Sequence, residues 1–269
     1  MRIRRILFSL FVSCVLSMVL LHVPTAAARQ ADPPAAPALD AHQAPLTVEQ
    51  VVSQLVERNR EREEALRKFV GTRVYTIKYA GFFGTHEASM TVNVNYVAPN
   101  DKEFTIVSES GSKFIVDHVL KGLLAGEKEA GDPKNKRHTA LTTENYDFAL
   151  AGVETSREAP QYVLEVKPKK DNKYLYRGKI WVDGKDFAVT RIQAEPAKSP
   201  SFWVKKSEVN HRYEKVDAFW LPAENKTDSL IRLGGHAVLS IEYQNYKITD
   251  AAAPTQGGVA NSSTGKTSF

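Results

Sequence analysis

Hydrophobic and polar positions alternate two by two along most of this chain, and at helical spacing along only two stretches. Ala88, Met90, Val92, Val94 and Tyr96 are interleaved with Ser89, Thr91, Asn93 and Asn95, the pattern of a strand with one wet face. Tyr75, Ile77 and Tyr79 alternate in the same way before a turn at 81–84, and Phe104-Thr-Ile-Val107 follows a Pro99-Asn-Asp101 turn. Further strands are expected around Tyr162, Leu164 and Val166, over 203–216, over 219–233 with a break near Pro222, and over 237–248. Asn145–Leu150 reads equally as strand or turn. Helical spacing occurs at Val48, Val51, Val52, Leu55 and Val56 behind a Thr47–Gln50 capping box, and Leu66, Phe69 and Val70 resume it. The charged run 57–64 between them predicts a helix packed at its ends and solvated in its middle. A second helix is expected from Gly111-Ser112 to about Gly126, with Ile115, Val116, Val119, Leu120, Leu123 and Leu124 on one face. Many antiparallel strands with two principal helices make an α+β layout.

The stretch 174–194 is the most strongly patterned. Asp183-Gly184 separates two runs of aromatic and β-branched residues, the signature of a hairpin with a loop of two or four residues. Tyr174, Tyr176, Ile180 and Val182 share one face of its first strand, and Phe187 and Val189 continue that face in the second. Two strands are marginal in water, so this hairpin requires a sheet beside it and an apolar cover.

The N-terminus changes the picture of where the chain works. Arg2, Arg4 and Arg5 precede an apolar run from Ile6 to Val23, and Ala26-Ala27-Ala28 follows as a cleavage site, the three parts of a secretory signal peptide. A retained membrane anchor is the alternative, because the run is near spanning length. Cys14, the single cysteine, lies inside the apolar run, where a lipid-attachment cysteine would not stand. The mature chain therefore has no thiol for a disulfide or a metal. The expected organisation is a signal peptide over 1–28, an Ala/Pro-rich linker over 29–45, a folded domain over 46–249 and a disordered tail over 250–269. The formal charge of +5 shrinks to +2 once the three leader arginines are removed, leaving 33 basic against 31 acidic residues. That is no footprint for nucleic acid.

Catalytic patterns are sparse. His42, His86, His118, His138, His211 and His236 are scattered, with no His-Glu-x-x-His pair. Ser110-Gly-Ser-Lys113 lacks the companion motifs of acyl-serine enzymes, and Gly265-Lys-Thr267 lacks the rest of a phosphate loop. Glu127 and Glu129 read as a solvated helix end, and Asp183 and Asp186 as turn residues. Trp181, Trp203 and Trp220 fall within strands, where they serve a core or line a concave apolar site.

Three segments together, Ile180-Trp-Val-Asp183, Phe187-Ala-Val-Thr-Arg-Ile192 and Val216-Asp-Ala-Phe-Trp-Leu-Pro222, resemble the C-terminal half of LolA-like outer-membrane lipoprotein-sorting proteins. The helix from Thr47 followed by strands is similar to that family's N-terminal half. The resemblance implies a strongly curved antiparallel β-sheet, an unclosed barrel, with helices covering the concave side. It also implies an apolar cavity that binds acyl chains in the periplasm without catalysis or cofactor. The lining expected here is Ile115, Val119, Leu120 and Leu123 from the second helix, facing Tyr176, Ile180 and Val189 of the sheet. The expected partner is a lipoprotein or lipid acyl chain, with an envelope protein as a further partner and no nucleic acid. A second reading keeps the same fold with a filled core and a surface site, as an envelope interaction or stress-sensing protein.

Overall fold

The structure, a computed structural model, describes residues 46–252 apart from 83, 133, 134, 136, 156–158, 173, 200 and 233. The expected signal peptide, the linker and nearly all of the expected tail lie outside these residues. Helix α1 (Val48–Ala65) is followed by strands β1 (Leu66–Gly81), β2 (Gly84–Val97) and β3 (Asp101–Gly111). The second helical segment comprises α2 (Lys113–Ile115), a wide π turn (Val116–Leu120) and α3 (Lys121–Gly131). Strands β4 (Tyr146–Thr155), β5 (Pro160–Pro168), β6 (Tyr176–Asp183), β7 (Val189–Pro196), β8 (Val204–Val216), β9 (Phe219–Ile231) and β10 (Gly235–Ala251) complete the chain.

Among the described residues these ten strands form one antiparallel sheet in the order β3-β2-β1-β10-β9-β8-β7-β6-β5-β4. Every neighbour in that order is a sequential hairpin except β1–β10, where the last strand returns to the first, pairing Tyr75 with Ile241 and Ile77 with Leu239. The outer strands β3 and β4 do not meet, so the sheet is a curved, unclosed barrel with the helices over its concave side. This is the α+β architecture expected from the alternation.

Two apolar clusters occupy the concave side. Under α1, Val51, Val52 and Leu55 pack against Leu164, Ile180, Val182 and Ile192 of strands β5 to β7. Under the second helical segment, Val116, Val119, Leu120 and Leu124 pack against Tyr75, Ile77, Met90, Val92 and Leu239. Each buried aliphatic side chain contributes about 1.5–3 kcal/mol of transfer free energy, so these clusters carry most of the stability. The capping box closes the start of α1 as expected: Thr47 Oγ1 accepts from Gln50 N, and Gln50 Oε1 accepts from Thr47 N. At the other end of β3, Gly111 has φ +82, and a Cβ there would stand 2.2 Å from the Glu87 carbonyl. Glycine lets the chain turn from β3 into the Ser112 N-cap of α2.

Several local expectations are corrected. Leu66, Phe69 and Val70 belong to β1, not to α1; their spacing suits a helix, but pairing with β2 and β10 satisfies their backbone groups and Phe69 stacks on Tyr96. The charged middle of α1 is not fully solvated: Arg58, Asn59, Arg60, Glu61, Arg62 and Glu63 are half-buried. The second helix runs past Gly126 to Gly131. Strand β9 continues through Pro222 as one strand, with a bulge in place of a break: Arg212 and Tyr213 of β8 pair with Glu224 and Pro222, leaving Ala223 as the extra residue. The Asp183-Gly184 hairpin is present with a wider loop, 184–188. Asp183 Oδ1 accepts from Lys185 N and Asp186 N, its carbonyl accepts from Phe187 N, and Phe187 takes the left-handed conformation. The last strand extends to Ala251, two residues beyond the expected domain edge.

Candidate functional site

Between the two apolar clusters the concave face is not filled. A cavity of about 410 Å³ lies under the C-terminal half of α1 and the end of α3, within the size range of small-molecule sites. Its apolar wall is aromatic and aliphatic: Phe69, Tyr96, Val189, Phe219, Leu221 and Tyr246. Phe69 organises that wall, stacking on Tyr96 at 5.0 Å and meeting Tyr246 edge-on at 5.7 Å between ring centroids. Phe219 and Leu221 form a small cluster with Ala65, so the end of α1 closes over the start of β9.

Polar groups stand at fixed points around this apolar wall. Arg73, on the inward face of β1, and Glu127, on α3, form a two-point ion pair, with Arg73 Nη2 donating to Glu127 Oε1 at 3.1 Å. Lys102 Nζ donates to the same oxygen at 2.8 Å, and Arg73 Nη1 reaches Tyr75 Oη at 3.3 Å. The guanidinium also lies over the Tyr243 and Phe104 rings, at 5.0 and 5.5 Å. Burial by itself would push the Glu127 carboxyl up, but Arg73 and Lys102 overcome it and bring it down to about 2. The pair thus stays ionised and forms a buried polar tie between α3 and the sheet, alongside the more exposed Lys121–Glu109 pair at 2.9 Å.

A second tie holds α1. Arg62 donates from Nη1 to the Asp186 carbonyl at 2.7 Å and from Nη2 to the Phe187 carbonyl at 3.0 Å, gripping the β6–β7 loop. Burial lowers its pKa to about 10, which leaves it charged at neutral pH. The Asp186 carboxylate in turn accepts from Trp220 Nε1 at 2.9 Å and from Lys215. On β8, His211 borders the cavity and stacks on Tyr213 at 4.5 Å. Thr227 Oγ1 donates to Asn225 Oδ1 at 3.1 Å, and Asn225 Nδ2 contacts His211 Nδ1 at 3.0 Å. Burial, with Arg73 nearby, lowers the His211 pKa to about 4, so the ring is neutral near pH 7.

The model of a family of unknown function (DUF5686) matches residues 139–246, from just before β4 into β10. No curated protein matches the chain. Solved structures are similar over most of its length at low identity. One is a DUF1329 family protein from Desulfovibrio piger, 14% identical, covering 75% of this chain and 93% of that one with a TM-score of 0.37. Another is a LolA superfamily protein from Nitrosomonas europaea, 12% identical, covering 77% and 96% with a TM-score of 0.31. A domain named for outer membrane lipoprotein sorting, from Vibrio parahaemolyticus, is 11% identical, covering 75% and 93% with a TM-score of 0.38.

The seven residues expected to line a cavity fall into two groups. Ile115, Val119 and Leu120 lie in the cluster under the second helical segment, with Leu123 half-buried against it. Tyr176, Ile180 and Val189 lie in the cluster under α1. Of the seven, Val189 also lines the cavity described above. Pattern reading did not single out Arg73 or assign a role to His211, and it took Glu127 for part of a solvated helix end, whereas Glu127 is buried and paired with Arg73. Signals for them exist. Arg73 shares the inward face of β1 with Phe69, Tyr75 and Ile77, and Glu127 continues the stripe of Val116, Leu120 and Leu124. A charge on an inward face demands a partner, and these two supply each other.

Proposed function

We propose that this protein is a non-enzymatic binding or carrier protein for the acyl chain of a lipid or lipoprotein, or a ligand of like apolar character. It would act in the periplasm or after secretion, once the signal peptide is removed. The observation that carries this reading is the cavity: about 410 Å³, walled by aromatic and aliphatic side chains, between helices fixed to the sheet by a few polar ties. Such a space is stabilised by filling it with hydrocarbon. Each methylene withdrawn from water contributes about 0.8 kcal/mol, so eight give roughly 6 kcal/mol before the cost of association.

The second reading, an envelope interaction or stress-sensing protein working through its surface, is favoured by one observation. Most of the residues first expected to face a ligand sit in packed clusters instead, Leu120 and Ile180 at 0% exposure. Native mass spectrometry of the protein isolated from its own compartment separates the two. Co-purified lipid in stoichiometric amount supports the carrier. A bare mass, together with failure to bind a fluorescent fatty acyl probe, would transfer the assignment to the surface-acting reading.

A further inference from the structure

Three loops meet at one end of the sheet, and their tips are apolar. Strand register sets them level: Gly81 of β1 pairs with Gly235 of β10, His236 with Leu230 of β9, and Ile231 with Val204 of β8. The β1–β2 turn, the β9–β10 turn and the β7–β8 loop therefore project side by side, across about 14 Å for three strand spacings. Trp203 O accepts from Arg232 N at 2.8 Å and Gly234 O accepts from Tyr79 Oη at 3.3 Å, which ties the loops to one another. At the tips, Phe82 is 84% exposed and Phe202 74%, the most exposed large apolar side chains among the described residues. Leu230 is exposed beside them. Trp203 meets Phe202 edge-on at 5.5 Å, and the Arg232 guanidinium lies over the Phe202 ring at 5.3 Å. Apolar side chains clustered in water at one place mark an interaction surface.

The charges around these tips do not cancel. Within 78–87, 195–206 and 228–236, Lys78 pairs with Glu87, Lys206 with Glu195 and His236 with Asp228. Every acid in these segments is thereby matched, while Lys198, Lys205 and Arg232 are exposed and have no carboxylate partner among the described residues.

We propose that this end of the molecule docks on the surface of an anionic phospholipid bilayer. Phe82 and Phe202 dip into the boundary between headgroups and acyl chains, and Lys198, Lys205 and Arg232 lie against the headgroup phosphates. Rings on separate loop tips suit a fluid surface, which closes around each of them. A protein partner would need a matching recess for each tip and about 800 Å² of complementary surface. The unmatched cations are attracted to a negative headgroup layer and repelled by a positive one. The cavity lies toward the other end of the strands, where Pro99, Val189 and Phe219 line it, so docking leaves it facing away from the bilayer. The proposal therefore stands independently of the carrier reading.

The test is co-sedimentation of the mature full-length protein with vesicles of phosphatidylcholine, alone or with one quarter phosphatidylglycerol. Expected is binding to the phosphatidylglycerol vesicles that weakens as salt rises. Phe82→Ser and Phe202→Ser should each raise the lipid concentration at half-binding about tenfold. Lys198→Gln, Lys205→Gln and Arg232→Gln together should remove the preference for phosphatidylglycerol. All five side chains are exposed, so urea midpoints should stay at the parent value. Val153→Ser, on an exposed residue at the far end of β4, should bind as the parent does. Phosphatidylglycerol brominated in its acyl chains should quench Trp203, and Trp203→Phe should remove most of the quenching. Undiminished quenching in Trp203→Phe would put the lipid at the cavity beside Trp220 and overturn the docking assignment. Failure to bind phosphatidylglycerol vesicles, or binding indifferent to both phenylalanine changes, would overturn it as well. Self-association in sedimentation velocity that Phe82→Ser abolishes would assign the tips to a second copy of this chain instead.

Discussion

Arg73 on the first strand and Glu127 near the end of α3 meet in a two-point ion pair with 5% and 6% of their surfaces exposed. They are 54 residues apart in sequence, and their contact fixes the helical lid to the floor of the concave sheet. Removing one partner strands the other charge out of water. Glu127→Ala is expected to cost about 3–5 kcal/mol, read from urea unfolding midpoints. Replacing both at once, Arg73→Met with Glu127→Leu, should recover most of that loss, because Lys102 is exposed enough to regain water. A Glu127→Ala cost under about 1 kcal/mol would mean that water reaches the pair in solution.

Acid should weaken the fold in two steps. His211 titrates near 6.5 in the unfolded chain and near 4 when folded, because burial disfavours the imidazolium. Between these values the unfolded chain binds a proton that the folded one does not. Stability therefore falls as the pH drops through this window, by on the order of 3 kcal/mol in total. Glu127 acts lower: its stabilisation is complete above about 4.5 and is lost as the pH falls toward about 2. Denaturant melts near pH 7 and pH 4.5 check the upper step, which His211→Phe should largely abolish. An equal loss in the variant would assign the step to other groups.

Packed cluster and open cavity respond oppositely to added volume. Leu120 is fully buried in the cluster under the second helical segment, so Leu120→Ala should cost about 2–5 kcal/mol and Leu120→Phe about 1–3. Val189 belongs to the cluster under α1 but also lines the cavity, and the ring of Val189→Phe is expected to turn into that space. That variant should stay within about 1 kcal/mol of the parent while losing most fluorescent acyl-probe binding. Marked destabilisation by Val189→Phe would mean that the cavity closes in solution.

The leader makes a prediction of its own. Protein recovered from outside the cytoplasm should begin at or near Arg29, as read by N-terminal sequencing. A mature chain that still begins at Met1 and needs detergent for extraction would establish the retained anchor instead.

What the sequence determined by itself is the set of elements and the face each presents. Period-2 alternation placed Met90, Val92 and Val94 inward on β2, and helical spacing placed Val51, Leu55 and Leu120 against a sheet, because those periods are fixed by local backbone geometry. The capping box fixed the start of α1 for the same local reason. Spacing failed where two periods coincide: Leu66, Phe69 and Val70 fit a helix, and pairing with β2 and β10 decided for a strand.

Tertiary structure alone decided what stands opposite each inward face. The β1–β10 pairing joins the two ends of the domain, and no local pattern encodes a partner more than 150 residues away. It brings Arg73 beside Tyr243 and under Glu127, turning two charges that would cost free energy if buried singly into one neutral tie. Inward-facing apolar residues carry the same pattern whether they meet a neighbour or an empty space. That Leu120 is enclosed within its cluster while Val189, also in a cluster, borders the cavity therefore arises from where the two helices rest on the curved sheet. The partner of His211 is likewise set by a neighbouring strand: only the β8–β9 register brings Asn225 to 3.0 Å from its Nδ1.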